Sequence, residues 1–248
     1  MGVLNVTPDS FSDGGRWLDP GAAVAHGLQM AAEGADVVDV GGESTRPGAE
    51  PVPVDEELRR VLPVIEALAP SVRVSIDTRK AEVAEAAIAA GATLVNDVSA
   101  SLAPVAAAAG PGVGWVAMHM QGDPRTMQES PTYRDVVAEV RDFLVERAAS
   151  AGVAEVWIDP GIGFGKTMAH NLALLAHLDE LVATGLPVVV GTSRKSFLGR
   201  LTGGAPADDR VEASVATAAW ALAQGAAMVR VHDVAPTVAA ARLLSRSA

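Results

Sequence analysis

The chain has 248 residues, 49% of them apolar but only 4% aromatic, with no cysteine and a formal charge of −11. This excludes disulfides, thiolate nucleophiles and cysteine-ligated metals, and it argues against a nucleic-acid partner, so an anionic ligand would need a local cationic pocket. No apolar run approaches the ~20 residues of a transmembrane helix, and the start lacks the basic flank and apolar stretch of a signal peptide; the expectation is a soluble cytoplasmic protein with no membrane partner.

Short β-rich runs alternate with Ala-rich segments of helical period, the pattern of βα units on a parallel sheet. The first strand is read at 2–6 and delivers Asn5 to its end, before a polar, Gly- and Asp-rich loop. A helix at 19–33 starts on Asp19-Pro20, a cap residue followed by proline at the first helical position. A strand at 36–41, a loop at 42–49 and a helix at 54–69 follow, with Pro63 as a potential kink. Next come a strand at 72–77, a helix at 81–90, a strand at 93–97 and a weak helix at 102–109. A strand at 114–119, a long loop and a helix at 132–151 precede a strand at 155–159 and a helix at 169–184. The last units are a strand at 187–191 with a helix at 209–224, and a strand at 228–232 with a helix from 235 to the end. Eight consecutive βα units without a composition break predict an α/β fold, a single (β/α)8 TIM barrel in one domain over 1–248; an open doubly wound sheet is the alternative.

In such barrels the C-terminal rim of the strands carries function. The rim set is Asn5, Asp39, Asp77, Asn96 with Asp97, His119, Asp159, Ser193 to Lys195, and Arg230 with His232. A single strand-end aspartate is most simply a cap or turn residue, and Asp97 fits that reading. Seven or eight strand ends converging on one mouth are hard to explain as caps. The set divides into a cationic end, from Ser193-Arg194-Lys195 and Arg230-Val231-His232, and an end of Asp77, Asn96 and Asp159. Buried acceptors need matching donors, which suits a flat nitrogen heterocycle joined to a phosphate. The glycine-rich run 161–167 is not a P-loop, because Pro160 stands where the first glycine is required; it reads as a turn whose Phe164 closes one pocket wall. His26, His170 and His177 fall on expected helices and read as surface or packing residues. No protein-caged metal spacing occurs. A magnesium ion held by substrate phosphates and one protein oxygen is compatible with the pattern, with Asn5 as its candidate ligand.

These residues lie in recognisable motifs: NVTPDSFSDGG at 5–15, DVGGESTRPG at 39–48, SIDT at 75–78, ND at 96–97, MHMQG at 118–122, DPGIGFGK at 159–166, SRKS at 193–196 and RVHD at 230–233. In this order, over nearly the whole chain, the sequence resembles the dihydropteroate synthases, folate-pathway enzymes of the pterin-binding family that sulfonamides inhibit. The resemblance implies condensation of 7,8-dihydropterin-6-ylmethyl diphosphate with 4-aminobenzoate, giving 7,8-dihydropteroate and diphosphate. It implies that Asp77, Asn96, Asp159 and Lys195 hold the pterin, and that Asn5, Arg230 and His232, with Mg2+, hold the diphosphate. Thr45 also contacts the pterin diphosphate in the family pattern. The resemblance also implies that Phe11, Arg46, Pro47, Phe164 and Ser193 form the aminobenzoate pocket, and that the protein is a homodimer. In the family a short segment precedes the first strand and plugs the barrel floor. Here the sequence opens on that strand, so either the start lies upstream or the floor is partly uncovered. Rival readings are a pterin-dependent methyltransferase barrel, which needs no diphosphate site, a non-catalytic pterin-binding paralogue, and a phosphate-binding isomerase or aldolase barrel.

Overall fold

The structure, a computed structural model, describes residues 1–7, 19–44 and 48–245. The strands are β1 (Gly2–Asn5), β2 (Val37–Gly41), β3 (Arg73–Asp77), β4 (Leu94–Asp97), β5 (Gly114–Met118), β6 (Val156–Asp159), β7 (Val189–Val190) and β8 (Met228–Val229). The first six pair in parallel in chain order, as do the last two. Backbone hydrogen bonds join the two groups at both edges. Ile158 N donates to Pro187 O at 3.0 Å, Val3 N to Val231 O at 2.9 Å and Val231 N to Met1 O at 3.0 Å. The eight strands thus close into a barrel, as expected.

Strand residues alternate between two buried surroundings, which is why the runs are apolar almost throughout. Val38, Val40, Val74, Ile76, Val95, Ala117 and Ile158 pack in the core shared with the helices. Met1, Val37, Leu94, Val116 and Val189 form a separate cluster with Trp157 and Met228 that fills the lower barrel interior. Above it the inward positions become polar, and parallel register levels them: Asn5 lies opposite Gly41, Gly41 opposite Asp77, and Asp77 opposite Asn96.

The helices are α1 (Pro20–Ala32), α2 (Val54–Leu68), α3 (Ala81–Ala89), α4 (Ala103–Ala109), α5 (Val136–Ser150), α6 (Met168–Ala176), α7 (Leu178–Val182), α8 (Ser196–Leu201), α9 (Val211–Ala223) and α10 (Val234–Ser245). Ten α-helices, not eight, and a 3-10 turn at Ala207–Asp209 are therefore present among the described residues. The expected helix 169–184 breaks at His177, whose backbone is non-helical; the break lets Leu174 and Leu175 before it and Leu178 and Leu181 after it all reach the core. The short α8 was not read from the sequence. Helix α5 starts four residues later than expected, because Asp135 caps Val137 N and Ala138 N. Thr132 and Tyr133 are used elsewhere, bonding Gln121 and Gly165 O. Helix α2 runs through Pro63; Pro63 is exposed, so the carbonyl it leaves without a helical donor is within reach of water. No helix among the described residues is long and apolar enough to cross a membrane.

Candidate active site

The polar upper layer is organised by Arg230. Its Nε donates to Asp39 Oδ2 at 2.6 Å and its Nη2 to Asp77 Oδ2 at 2.7 Å. Asp39 Oδ2 also accepts from Asn96 Nδ2 at 2.8 Å, which fixes the amide so that its oxygen is free of that contact. Asp39 Oδ1 and Asp77 Oδ1 are buried and have no hydrogen-bond partner among the described residues. Burial pushes the Asp77 carboxyl up to about 7, against the pull of Arg230 and with Asp39 adding to the rise. Burial also raises Asp159, opposed by Lys195. Burial opposes protonation of Arg230, but the charges of Asp39 and Asp77 outweigh it and hold the guanidinium charged. The expected separation into a cationic and an acidic end is thus corrected. Because β8 closes beside β1, the long Arg230 side chain crosses the mouth and lies among the carboxylates of β2 and β3.

Glycines at the exits of two strands, Gly41 closing β2 and Gly191 just past β7, keep the mouth open. A side chain at Gly41 would come between Asn5 Oδ1, 3.7 Å away, and Asp77 Oδ2, 3.8 Å away. At Gly191 it would lie 3.7 Å from Lys195 Nζ and 3.6 Å from Arg230 Cβ. Lys195 donates to Ile162 O, and its ammonium sits 4.8 Å from the centroid of the Phe164 ring. Burial lowers its pKa to about 8, with Asp159 opposing the shift.

The loop after β6 is the platform for these contacts. Gly161, Gly163 and Gly165 all have positive φ, at 64°, 85° and 60°, a conformation that glycine adopts without strain. A Cβ on Gly161 would overlap the His119 carbonyl oxygen, and one on Gly165 that of Gln121, so the loop lies flat against the exit of β5. Four consecutive carbonyls each accept a side-chain donor: Ile162 O from Lys195, Gly163 O from Gln128, Phe164 O from Lys166 and Gly165 O from Tyr133. The run is a turn, as its Pro160 implied. His119 does not join the mouth constellation: its ring packs on Tyr133 and Phe143 and bonds Lys166.

Ser193 and His232 meet beside this layer, with His232 Nδ1 and Ser193 Oγ 3.0 Å apart and His232 N donating to the same oxygen. Arg194 turns away. Its fork bonds Asp233 at 2.6 and 3.0 Å, and its backbone, at φ 59°, is held by Ser214 and Arg210. Asp97 is the structural cap it was read to be, accepting from Ser99 N, Ser101 N, Leu102 N and Trp115 Nε1.

Phe11, Thr45, Arg46 and Pro47 lie outside the described residues. The stems flanking 45–47 are described. Lys80 Nζ donates to Glu43 Oε2 at 2.6 Å, Val52 O at 2.7 Å and Glu57 Oε2 at 2.5 Å, tying both stems to α2. Neither this network nor the buried place of Lys166 follows from the strand-end pattern. A glutamate on the apolar stripe of α2, Glu57, was the available signal for the first.

A family profile described as pterin binding enzyme matches residues 1–232. The dihydropteroate synthase of Mycobacterium leprae (strain TN) is 53% identical, covering 98% of this chain and 91% of its own. The solved Yersinia pestis dihydropteroate synthase, a complex with a sulfonamide drug, superposes with a TM-score of 0.94 at 48% identity, over 100% of this chain and 94% of that one. The Xanthomonas albilineans dihydropteroate synthase with 4-aminobenzoic acid gives 0.89 at 52% identity, over 100% and 92%. Both the profile and these relatives span the strand ends that build the mouth, and the chain belongs to the pterin-binding enzymes, within the dihydropteroate synthase family.

Proposed function

We propose that this chain, as one domain over residues 1–248, condenses 7,8-dihydropterin-6-ylmethyl diphosphate with 4-aminobenzoate in folate biosynthesis. The observation that carries this reading is the surplus of buried acceptors at the mouth. Asp39 Oδ1 and Asp77 Oδ1 face no donor among the described residues, and two cations stand beside them. A ring that carries amino and ring N–H donors and an anionic tail complements that arrangement.

In this reading Asp77, Asn96 and Asp159 accept the pterin N–H groups, and Lys195 donates to its acceptor side. Arg230 uses two of its five N–H donors on Asp39 and Asp77, which leaves the rest, with His232, for the diphosphate. The C–O bond to the diphosphate breaks first, and the positive charge left on the pterin methylene is stabilised by Asp77 and Asp159. The neutral arylamine then forms the C–N bond and loses a proton. Phe164 and Ser193, with Phe11, Arg46 and Pro47, make the aminobenzoate pocket, where sulfonamides compete; Thr45 contacts the pterin diphosphate. Among the described residues no cluster of three or more His, Asp or Glu could cage a metal. The half-buried Asn5 amide, with its oxygen toward Gly41, fits a Mg2+ held by one protein oxygen and substrate phosphates. Mg2+, when bound, neutralises charge on the leaving diphosphate. The protein is proposed to act in the cytoplasm as a homodimer. Light scattering at monomer mass would refute the dimer.

The test is diphosphate release from the pterin ester and Mg2+, with and without 4-aminobenzoate. Release coupled to dihydropteroate supports the assignment. Tight pterin binding without product would mark a non-catalytic pterin-binding protein. Product formation with C–O cleavage strictly dependent on prior aminobenzoate would keep the synthase and remove the dissociative step.

A further inference from the structure

Lys166 is a buried lysine beside the site, and the mechanism above does not use it. Its side chain folds back beneath the loop it follows and is 2% exposed. Its Nζ lies 2.9 Å from His119 Nδ1, 3.2 Å from His119 O and 3.0 Å from Phe164 O. When protonated, its three N–H donors meet these three acceptors, while burial lowers its pKa to about 7, opposed by Asp159. The donor set requires a neutral His119 whose Nδ1 accepts. Burial first, then the nearby Lys166 charge, lowers the His119 pKa to about 3, consistent with that state.

The two His119 contacts belong to the end of β5, and the Phe164 contact belongs to the loop after β6. Lys166 is therefore a bolt between neighbouring strand exits. The residue it holds, Phe164, is the one whose ring faces Lys195 Nζ. The other carbonyl ties of this loop come from exposed Gln128, half-buried Tyr133 and Lys195 itself. Tyr133 holds the carbonyl beyond Phe164, not that of Phe164.

We infer that Lys166 is a positioning residue for the aminobenzoate wall, fixing Phe164 through its carbonyl while touching no substrate itself. This rests on the reading of Phe164 as part of the aminobenzoate pocket. Lys166→Met should raise the KM for 4-aminobenzoate ~10-fold or more, since small misplacements of a positioning group are amplified in binding and rate. The KM for the pterin ester should change much less. Lys166→Arg, which keeps a charged multiple donor, should recover most of the loss. Adding Lys166→Met to Phe164→Ala should raise that KM little beyond Phe164→Ala alone.

Equal effects on both substrates, or full additivity with Phe164→Ala, would overturn the inference. If Phe164→Ala leaves the aminobenzoate KM unchanged, the pocket reading of Phe164 falls and takes the inference with it. Hydrogen exchange of the 161–166 amides provides a readout independent of turnover. Lys166→Met should accelerate it while α2 and α3 stay protected, and unchanged exchange overturns the inference even in a protein that makes no dihydropteroate. Should the Met variant fail to fold, Lys166→Gln, which keeps two donors without the charge, carries the same comparison.

Discussion

At the floor of the barrel Arg73 lies against Glu155; at the mouth Arg230 lies against Asp39 and Asp77. The floor pair is saturated. Glu155 Oε1 accepts from Arg73 Nη1 at 2.9 Å and Trp157 Nε1 at 2.7 Å, and its Oε2 from Arg73 Nη2 at 2.7 Å. Hydrogen bonding from Arg73 outweighs burial and lowers the Glu155 pKa. At the mouth one guanidinium is shared by two buried carboxylates, each with an oxygen that has no partner among the described residues, and burial raises the Asp77 pKa. The same residue types therefore make a structural plug at one end and an unfinished hydrogen-bond network at the other. Shape alone would mislead here: a cavity of about 660 Å³ opens beside the floor, lined by Val153, Val156, Trp157 and Leu186, and it lacks the convergent charges of the mouth.

The largest effect should come from breaking the mouth. Arg230→Met leaves Asp39 and Asp77 buried without their cation, a change that costs about 3–5 kcal/mol where a buried pair loses one partner. The expected loss in kcat/KM is about 10²–10³-fold, with pterin diphosphate binding weakened far more than aminobenzoate binding. Because the stranded carboxylates can take up protons, the stability deficit should shrink from pH 7.5 to pH 5 in urea titrations. Equal losses for both substrates would contradict the placement of Arg230, and a deficit independent of pH would contradict the burial of the carboxylates.

A second difference is one of sign. Asp77 is pushed up to about 7 from 3.8, so between those values the folded protein holds a proton that the unfolded chain releases. Its contribution to stability is present below the unfolded value and is lost as pH rises through the folded one. Glu155, lowered from 4.5, does the reverse, contributing above its unfolded value and losing that as pH falls. Asp77→Asn should flatten the stability curve between pH 4 and 7, whereas Glu155→Gln should flatten only its acid end. A steeper curve between pH 4 and 7 in Asp77→Asn would refute the assigned shift. Activity should follow the same groups: an ionised Asp77 and a protonated Lys195, lowered to about 8, coexist in a narrow window. The profile of kcat/KM against pH should be bell-shaped and lose its acid limb in Asp77→Asn.

This contrast also marks what was legible in the chain. Asn5, Asp77, Asn96 and Asp159 were readable because each closes an apolar strand run, and a parallel barrel puts every such end on one rim. The place of Arg230 was not readable. Pattern put Arg230 and His232 on one face of the strand, but only closure of β8 against β1 sets Arg230 between Asp39 and Asp77. Lys166 was hidden for a different reason. Its motif reads as a glycine turn, and the direction of its side chain follows from three left-handed glycines whose combined path has no sequence period. The break at His177 has neither glycine nor proline to announce it, being set by how Leu174, Leu175, Leu178 and Leu181 share the core.

The smallest effect tests the floor. Arg73 and Glu155 side chains are 32% and 35% exposed, so water screens their attraction and a pair of this kind contributes about 0–1 kcal/mol. Glu155→Gln keeps one oxygen for Arg73, removes the charge and turns the second accepting oxygen into an amide donor, which can turn to water at this half-exposed site. Its unfolding free energy at pH 7.5 should fall by no more than that amount, and both KM values should stay at wild type, because the floor is separated from the mouth by the layer of Val37, Leu94, Val116 and Val189. If Glu155→Gln instead changed the KM for either substrate severalfold, the two ends would be coupled through that layer. The floor could then no longer be described as a plug, and its ion pair would belong to the same network as Asp39, Asp77 and Arg230.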